Sequence, residues 1–195
     1  YKEAVDWIIN RRLRKIDVGR VGYTDGNVCN FRYFINAMYI GLGARFVWIS
    51  NGTRRFWGMQ WLSFLSSMFL LLFERKLHRM HLKVNGEHVR DRIMTVCIGS
   101  ARGYGLTPSA VPYNGWLDVS VVYRPELMQL LKGLWLLVNG RLLNLKKVVK
   151  PYRTRKVKIL RAQNAAISLD GRPMAKDCPL DVCILPEALT LIIPK

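Results

Sequence analysis

Three glycines around a single cation are the first residues of this sequence that could do chemistry. The stretch Gly99-Ser100-Ala101-Arg102-Gly103-Tyr104-Gly105 follows the apolar run from Met94 to Ile98. Glycine lets a backbone come close to a phosphate, and successive N–H groups in such a loop can cradle an anion. The same stretch would serve equally well as an ordinary connecting loop. No P-loop and no GxGxxG opening a helix occurs in the sequence, so the usual nucleotide signatures are absent. A second stretch, Ile167-Ser168-Leu169-Asp170-Gly171-Arg172-Pro173, sets a carboxylate and a cation on either side of a glycine. An Asp-Gly pair after an apolar strand makes a turn, and any chemical role depends on what surrounds it.

Other candidate constellations are incomplete. His78 and His81 stand three apart and share a side if their segment is helical, but His88 lies beyond a turn. No nearby cysteine or carboxylate completes a metal-ligand set, so they read as surface histidines of a basic helix. Ser63, Ser66 and Ser67 belong to an apolar stretch, and no nucleophile-elbow sequence is present. Cys29, Cys97, Cys178 and Cys183 are scattered without a CxxC pair, which reads as reduced thiols of a cytoplasmic protein.

The elements that must position these residues are mostly strands. With 195 residues, half of them hydrophobic, the chain can build a sizeable core. Residues 1–13 have the apolar spacing of a short linker helix. Arg14 to Val21 and Phe31 to Ala37 read as strands of a hairpin around Asp25-Gly26, and Leu82–Val84 and His88–Arg90 flank Asn85-Gly86, the pair favoured in tight hairpin turns. Trp116–Val122, Arg155–Leu160, Ala166–Leu169, Asp181–Leu185 and Leu189–Ile193 are further short, turn-bounded strands. Two helices are expected, from about Arg54 to Leu77 and after Pro125, where Leu127, Leu130, Leu131, Leu134 and Leu137 fall at helical spacing. Phe56 to Phe73 is uncharged for eighteen residues, the lower limit for a membrane span, yet its polar residues gather on one side as in a helix packed on a core. The sum is a mainly β, two-layer antiparallel sandwich with a few helices, in one domain over residues 1–195.

Charge is the strongest compositional signal. Thirty-one Lys and Arg against thirteen Asp and Glu give a net +18, which implies an anionic partner such as a membrane surface, a phosphate-bearing substrate or nucleic acid. Arg141 to Arg161 holds nine cations and no acid, whereas residues 162–195 hold three cations against four acids. Nucleic acid is disfavoured because no reader motif accompanies the charge.

Several segments, in order, resemble the C-terminal half of the bacterial diacylglycerol kinase and YegS-like lipid kinase family, which is related to sphingosine kinases. They are Arg14-Lys15-Ile16-Asp17-Val18-Gly19; Phe34-Ile35-Asn36-Ala37 with Gly41-Leu42-Gly43-Ala44; the loop ending Thr107-Pro108-Ser109-Ala110; Asn114-Gly115-Trp116-Leu117-Asp118; Leu169-Asp170-Gly171-Arg172-Pro173; and Leu185-Pro186-Glu187-Ala188-Leu189 with Ile193-Pro194. Their order and spacing over nearly the whole chain carry the resemblance.

The resemblance implies a β-sandwich that closes over ATP held by a preceding N-terminal domain with a Gly-Gly-Asp-Gly-Thr motif, which this sequence lacks. It implies a lipid hydroxyl as acceptor, ATP and Mg2+ as cofactors, and a cytoplasmic protein peripheral to an anionic membrane. In the family a glutamate two residues after the turn aspartate is treated as the base. Here Arg172 holds that position and stays protonated, so Asp170 is the remaining base candidate and Arg172 a phosphate contact. The loop residues Ser100, Arg102, Gly103 and Gly105 are expected at the substrate and phosphate. Val111, Asn114 and Trp116 match the family's structural magnesium loop, with the aspartate replaced by neutral Asn114. A catalytically degenerate membrane- or anion-binding module is the alternative.

Overall fold

The computed structural model describes residues 5, 7–9, 12–46, 76–102, 106–126, 129, 148–175 and 178–193. Among the described residues eleven strands follow one another: β1 (Leu13–Asp25), β2 (Val28–Phe34), β3 (Ala37–Gly41), β4 (His78–Val84), β5 (Glu87–Gly99), β6 (Leu117–Tyr123), β7 (Val149–Thr154), β8 (Lys156–Ala162), β9 (Ile167–Leu169), β10 (Arg172–Pro173) and β11 (Leu180–Ile192). Every pairing is antiparallel. The mainly β sandwich expected from sequence is therefore present.

The hairpin turns sit where the dipeptides placed them. Asn85 and Gly86 have φ of 51° and 85°, and Asp170 and Gly171 have φ of 45° and 83°. Both central residues of such a two-residue turn need the left-handed region, which Asn, Asp and Gly tolerate best.

The sheet runs β10-β9-β3-β5-β4-β8-β11-β1-β2, and β6 and β7 branch from β5. The branch folds the sheet into two layers. The first half of β5 pairs with β4, and its second half pairs with both β3 and β6. Between the layers lies the main core, which includes Val21, Phe34, Met38, Ile40, Leu82, Ile93, Ile98, Leu117, Ile159 and Leu180. Ala37, Tyr39 and Cys97 alternate with these residues and form a second cluster with Ala44 and Phe46 on the other side. β3 is consequently buried along its whole length. Pro151 lies in β7, whose sole partner among the described residues is β6, so the missing N–H falls on an edge.

Some element boundaries differ from the sequence reading. Phe31–Ala37 is not one strand: the chain breaks at Ile35 and Asn36, between β2 and β3. Asp181–Leu185 and Leu189–Ile193 are one long strand, β11, with an irregularity at Glu187, whose φ is 51°. His78 and His81 lie on β4 rather than on a helix. A strand sends residues three apart to opposite sides, so His78 is buried while His81 faces outward. Residues 54–75 and nearly all of the expected second helix lie outside the described residues, as do Trp57, Trp61 and Phe64. Among the described residues no helix is long and apolar enough to cross a membrane.

Candidate functional site

Three chain reversals meet at one end of β3. The turn between β9 and β10 delivers Asp170, the break between β2 and β3 delivers Ile35 and Asn36, and the end of β5 delivers Gly99 and Ser100. Asp170 binds them with its side chain: Oδ2 accepts the N–H of Ile35 at 2.6 Å, and Oδ1 accepts those of Asn36 and Ala37 at 2.9 Å each. The backbone N–H of Asp170 donates to the Ala37 carbonyl at 3.0 Å. From the other side, the carbonyl of Asn36 accepts the N–H groups of Ser100 at 3.0 Å and Ala101 at 3.2 Å. The backbone of Asn36 is thus held by a carboxylate on one flank and by the glycine-rich loop on the other, with its residue surface exposed between them.

Ser100 is fully buried, and its hydroxyl donates to the Ile35 carbonyl at 2.6 Å. Its side chain fixes the loop instead of facing solvent. The Nε–H of Arg102 donates to the Pro108 carbonyl at 3.1 Å, closing the loop on itself, and the residue is exposed. Gly103 and Gly105 lie outside the described residues. Gly99 must be glycine, because a Cβ there would stand 2.6 Å from Thr107 Oγ1. Arg172 is exposed on β10, opposite Leu169.

Burial sets apart one carboxylate to which sequence reasoning gives no role. Asp118 lies opposite Gly99 across the β5–β6 ladder, with a side chain 15% exposed and Oδ1 3.1 Å from Arg153 Nε. Desolvation pushes its carboxyl above the ordinary value, while the Arg153 guanidinium opposes that rise. Its signal in the sequence is a single acid entering an apolar alternating strand.

Asp17 is the other residue that sequence alone underrates. It is 2% exposed, and its two oxygens accept the N–H groups of Gly115 at 2.7 Å and Glu187 at 3.0 Å. Its own N–H donates to the Pro112 carbonyl at 2.7 Å. Arg14 stacks over Tyr113 at 3.9 Å and Arg155 over Trp116 at 4.7 Å, so the loop from 112 to 116 is fastened at several points. This bears on the expected magnesium loop. Asn114 Oδ1 already accepts the N–H of Trp116 at 2.9 Å, and Asp17, the acid that reaches this loop, is engaged by backbone donors. Among the described residues no group of three or more His, Cys, Asp or Glu is placed to hold a metal. A neutral amide with the backbone carbonyls of Val111 and Trp116 does not fit a hard divalent cation, which favours anionic oxygens.

Residues 36–193 match the family described as the YegS C-terminal NAD kinase beta sandwich-like domain. The chain belongs to that family. The match starts at Asn36 and takes in both the glycine-rich loop and the Asp170 turn. Two solved structures from Bacillus anthracis str. Sterne, each named a putative diacylglycerol kinase, are similar in fold to this chain. One superposes with a TM-score of 0.68 at 15% identity, covering 97% of this chain and 59% of its own. The other has a TM-score of 0.66 at 16% identity, covering 97% and 60%. Yeast NADH kinase, solved with NADH, reaches 0.50 at 11% identity, covering 94% and 44%. This chain therefore spans about three fifths of the length of the two bacterial structures. No curated protein matches it in sequence.

Proposed function

We propose that this YegS C-terminal domain is the acceptor-side half of an ATP-dependent lipid kinase that phosphorylates the hydroxyl of diacylglycerol or a related lipid. The observation that carries the reading is the junction at Asn36, where the Asp170 carboxylate and the glycine-rich loop grip one exposed stretch of backbone. Arg102 and Arg172 are exposed on the two elements that form this junction, and neither makes an ion pair among the described residues. A cationic rim of that kind suits a phosphoryl group in transfer. The names of the bacterial structures with this fold point in the same direction.

In this reading the acceptor hydroxyl oxygen attacks the γ-phosphorus of ATP, a new P–O bond forms, and the bond to the β-phosphate oxygen breaks to release ADP. The hydroxyl proton passes to Asp170. A carboxylate offers about four lone-pair positions, and three are filled by Ile35, Asn36 and Ala37, so the remaining one, on Oδ2, is the acceptor. Arg172 and Arg102 contact the phosphates, and magnesium enters with ATP as its complex. ATP is held by a separate N-terminal domain, since the sequence has no motif of its own for the task. The protein works at the surface of an anionic membrane that presents the lipid.

A degenerate, non-catalytic anion- or membrane-binding module is the second reading. It is favoured by the same three N–H bonds, which give Asp170 a complete structural task without catalysis. The deciding experiment supplies full-length protein with ATP and magnesium and measures phosphate transfer to diacylglycerol and related lipid alcohols in mixed micelles. Transfer that disappears in a folded Asp170→Asn variant supports the kinase. No transfer to any lipid alcohol supports the module.

A further inference from the structure

The outer side of the sheet formed by β4, β5 and β8 is cationic in every row. On β4, Arg79, His81 and Lys83 point outward, alternating with buried Met80, Leu82 and Val84. Register sets Arg79 opposite Arg92, His81 opposite Arg90 and Lys83 opposite His88 on β5. On the other flank it sets His81 opposite Arg161 and Lys83 opposite Lys158 on β8. Like charges directly opposite one another destabilise an antiparallel pair, and here they recur along the ladder.

Among the described residues little neutralises this face. Asp91 lies opposite Met80, on the other side of the pleat. Asp181 borders the face, with Oδ1 3.7 Å from Lys158 Nζ and 3.9 Å from Lys156 Nζ, and both contacts are half-exposed. Among the described residues Arg79, Lys83, Arg92 and Arg161 make no ion pair. At the Arg79–Arg92 end the face runs into a cleft of about 580 Å³, to whose lining Arg45 and Lys76 add two more cations.

At the centre of the face, between Arg90 and Arg161, crowding disfavours charge on His81. His81 Nε2 is 2.9 Å from His88 Nδ1 and accepts from Arg90 Nε at 3.1 Å. Desolvation, then Arg90, then His88 hold its pKa below the usual imidazole value.

We propose that this face is where the domain lies against an anionic lipid bilayer. The strands place charge on a broad lattice, about 4.8 Å between strands and about 7 Å along each, which suits a surface better than a groove. The major groove of duplex DNA admits an α-helix or a two-stranded ribbon, and this face is at least three strands broad. The outward positions carry no Phe, Tyr or Trp on which single-stranded bases could stack. Choosing a bilayer over other polyanions rests on the lipid-kinase reading, whereas the charge lattice does not.

The test is co-sedimentation of full-length protein with vesicles of phosphatidylcholine alone or mixed equally with phosphatidylglycerol, beside a duplex DNA binding assay at matched salt. The protein binds the anionic vesicles only, and less at high salt. Each cation near such a surface is worth about fivefold in partitioning, so the triple variant Lys83→Gln, Arg90→Gln, Arg161→Gln loses about a hundredfold. A control triple on and beside β1 and β2, which β11 separates from the face, Arg12→Gln, Arg14→Gln, Arg32→Gln, loses less than tenfold. Matched circular dichroism and melting of both triples exclude unfolding as the cause. The proposal is overturned if the two triples lose alike, or if duplex DNA is held more tightly than anionic vesicles through the same face. Sedimentation needs no turnover. A protein that phosphorylates lipid in micelles but ignores anionic vesicles therefore overturns the docking face alone, and one that binds vesicles without phosphorylating any lipid overturns the kinase alone.

Discussion

Asp170 Oδ1 accepts the backbone N–H of Asn36 at 2.9 Å across 134 residues of chain. The bond joins a hairpin near the end of the sequence to the short break between β2 and β3. Because the carbonyl of Asn36 also accepts from Ser100 and Ala101, a change at Asp170 reaches the glycine-rich loop through a single residue. The candidate base and the candidate phosphate loop are therefore mechanically one unit.

Replacing Asp170 with Asn keeps the turn, since Asn tolerates the positive φ of 45°. It replaces one acceptor oxygen with an NH2 that cannot pair with a backbone N–H. The loss of a charge-assisted bond predicts destabilisation of about 2 kcal/mol in urea unfolding. Unchanged stability would mean that the carboxylate does not hold the break between β2 and β3.

Asp17→Ala removes the carboxylate that serves the N–H groups of Gly115 and Glu187. Two donors in a largely buried setting lose their acceptor, which predicts a cost of about 3 kcal/mol. Hydrogen exchange at Gly115 and Glu187 should rise more than elsewhere. A uniform rise would indicate general loosening instead.

Cys97 is completely buried, and desolvation raises its thiol to about 12 against hydrogen bonds from Tyr39 and Thr107 that pull the other way. Native protein treated with iodoacetamide at neutral pH should therefore label exposed Cys29 and spare Cys97 until it is unfolded. A folded-state pKa raised above the unfolded value, near 9, stabilises fully below pH 9, and that stability is lost as pH climbs through about 12. Cys97→Ala should flatten the alkaline end of a melting-versus-pH curve.

His81 predicts the acid end of the same curve. Its folded-state pKa lies below the ordinary imidazole value of 6.5, so the unfolded chain takes up a proton more readily. The stability it contributes is present above about pH 6.5 and is lost as pH falls through the lower, folded value. His81→Gln should reduce the fall in melting temperature between neutral pH and the acid range. An identical fall in both proteins would remove His81 as its source.

The fold was legible where local chemistry dictates it. Asn85-Gly86 and Asp170-Gly171 have few alternatives to a tight turn, and the alternation of Met80, Leu82 and Val84 with Arg79, His81 and Lys83 is a plain strand pattern. That pattern was obscured because the long apolar stretch before it invited a helix continuing through His78 and His81. What one sequence does not contain is register. Nothing local sets Asp17 against Gly115 and Glu187, 98 and 170 residues away. The Asp170 turn could be read from its neighbours, but the loop it grips could not.

Phosphate transfer by the full-length protein is the most direct measure of the central claim. Given ATP, magnesium and a diacylglycerol in mixed micelles, the protein should incorporate the γ-phosphate into the lipid. Asp170→Asn, compared at a temperature where both proteins are folded, should lower kcat by about a hundredfold or more, the usual worth of a general base. Undiminished transfer by the folded variant would contradict the role given to Asp170, and no transfer to any lipid alcohol by the wild-type protein would contradict the kinase itself.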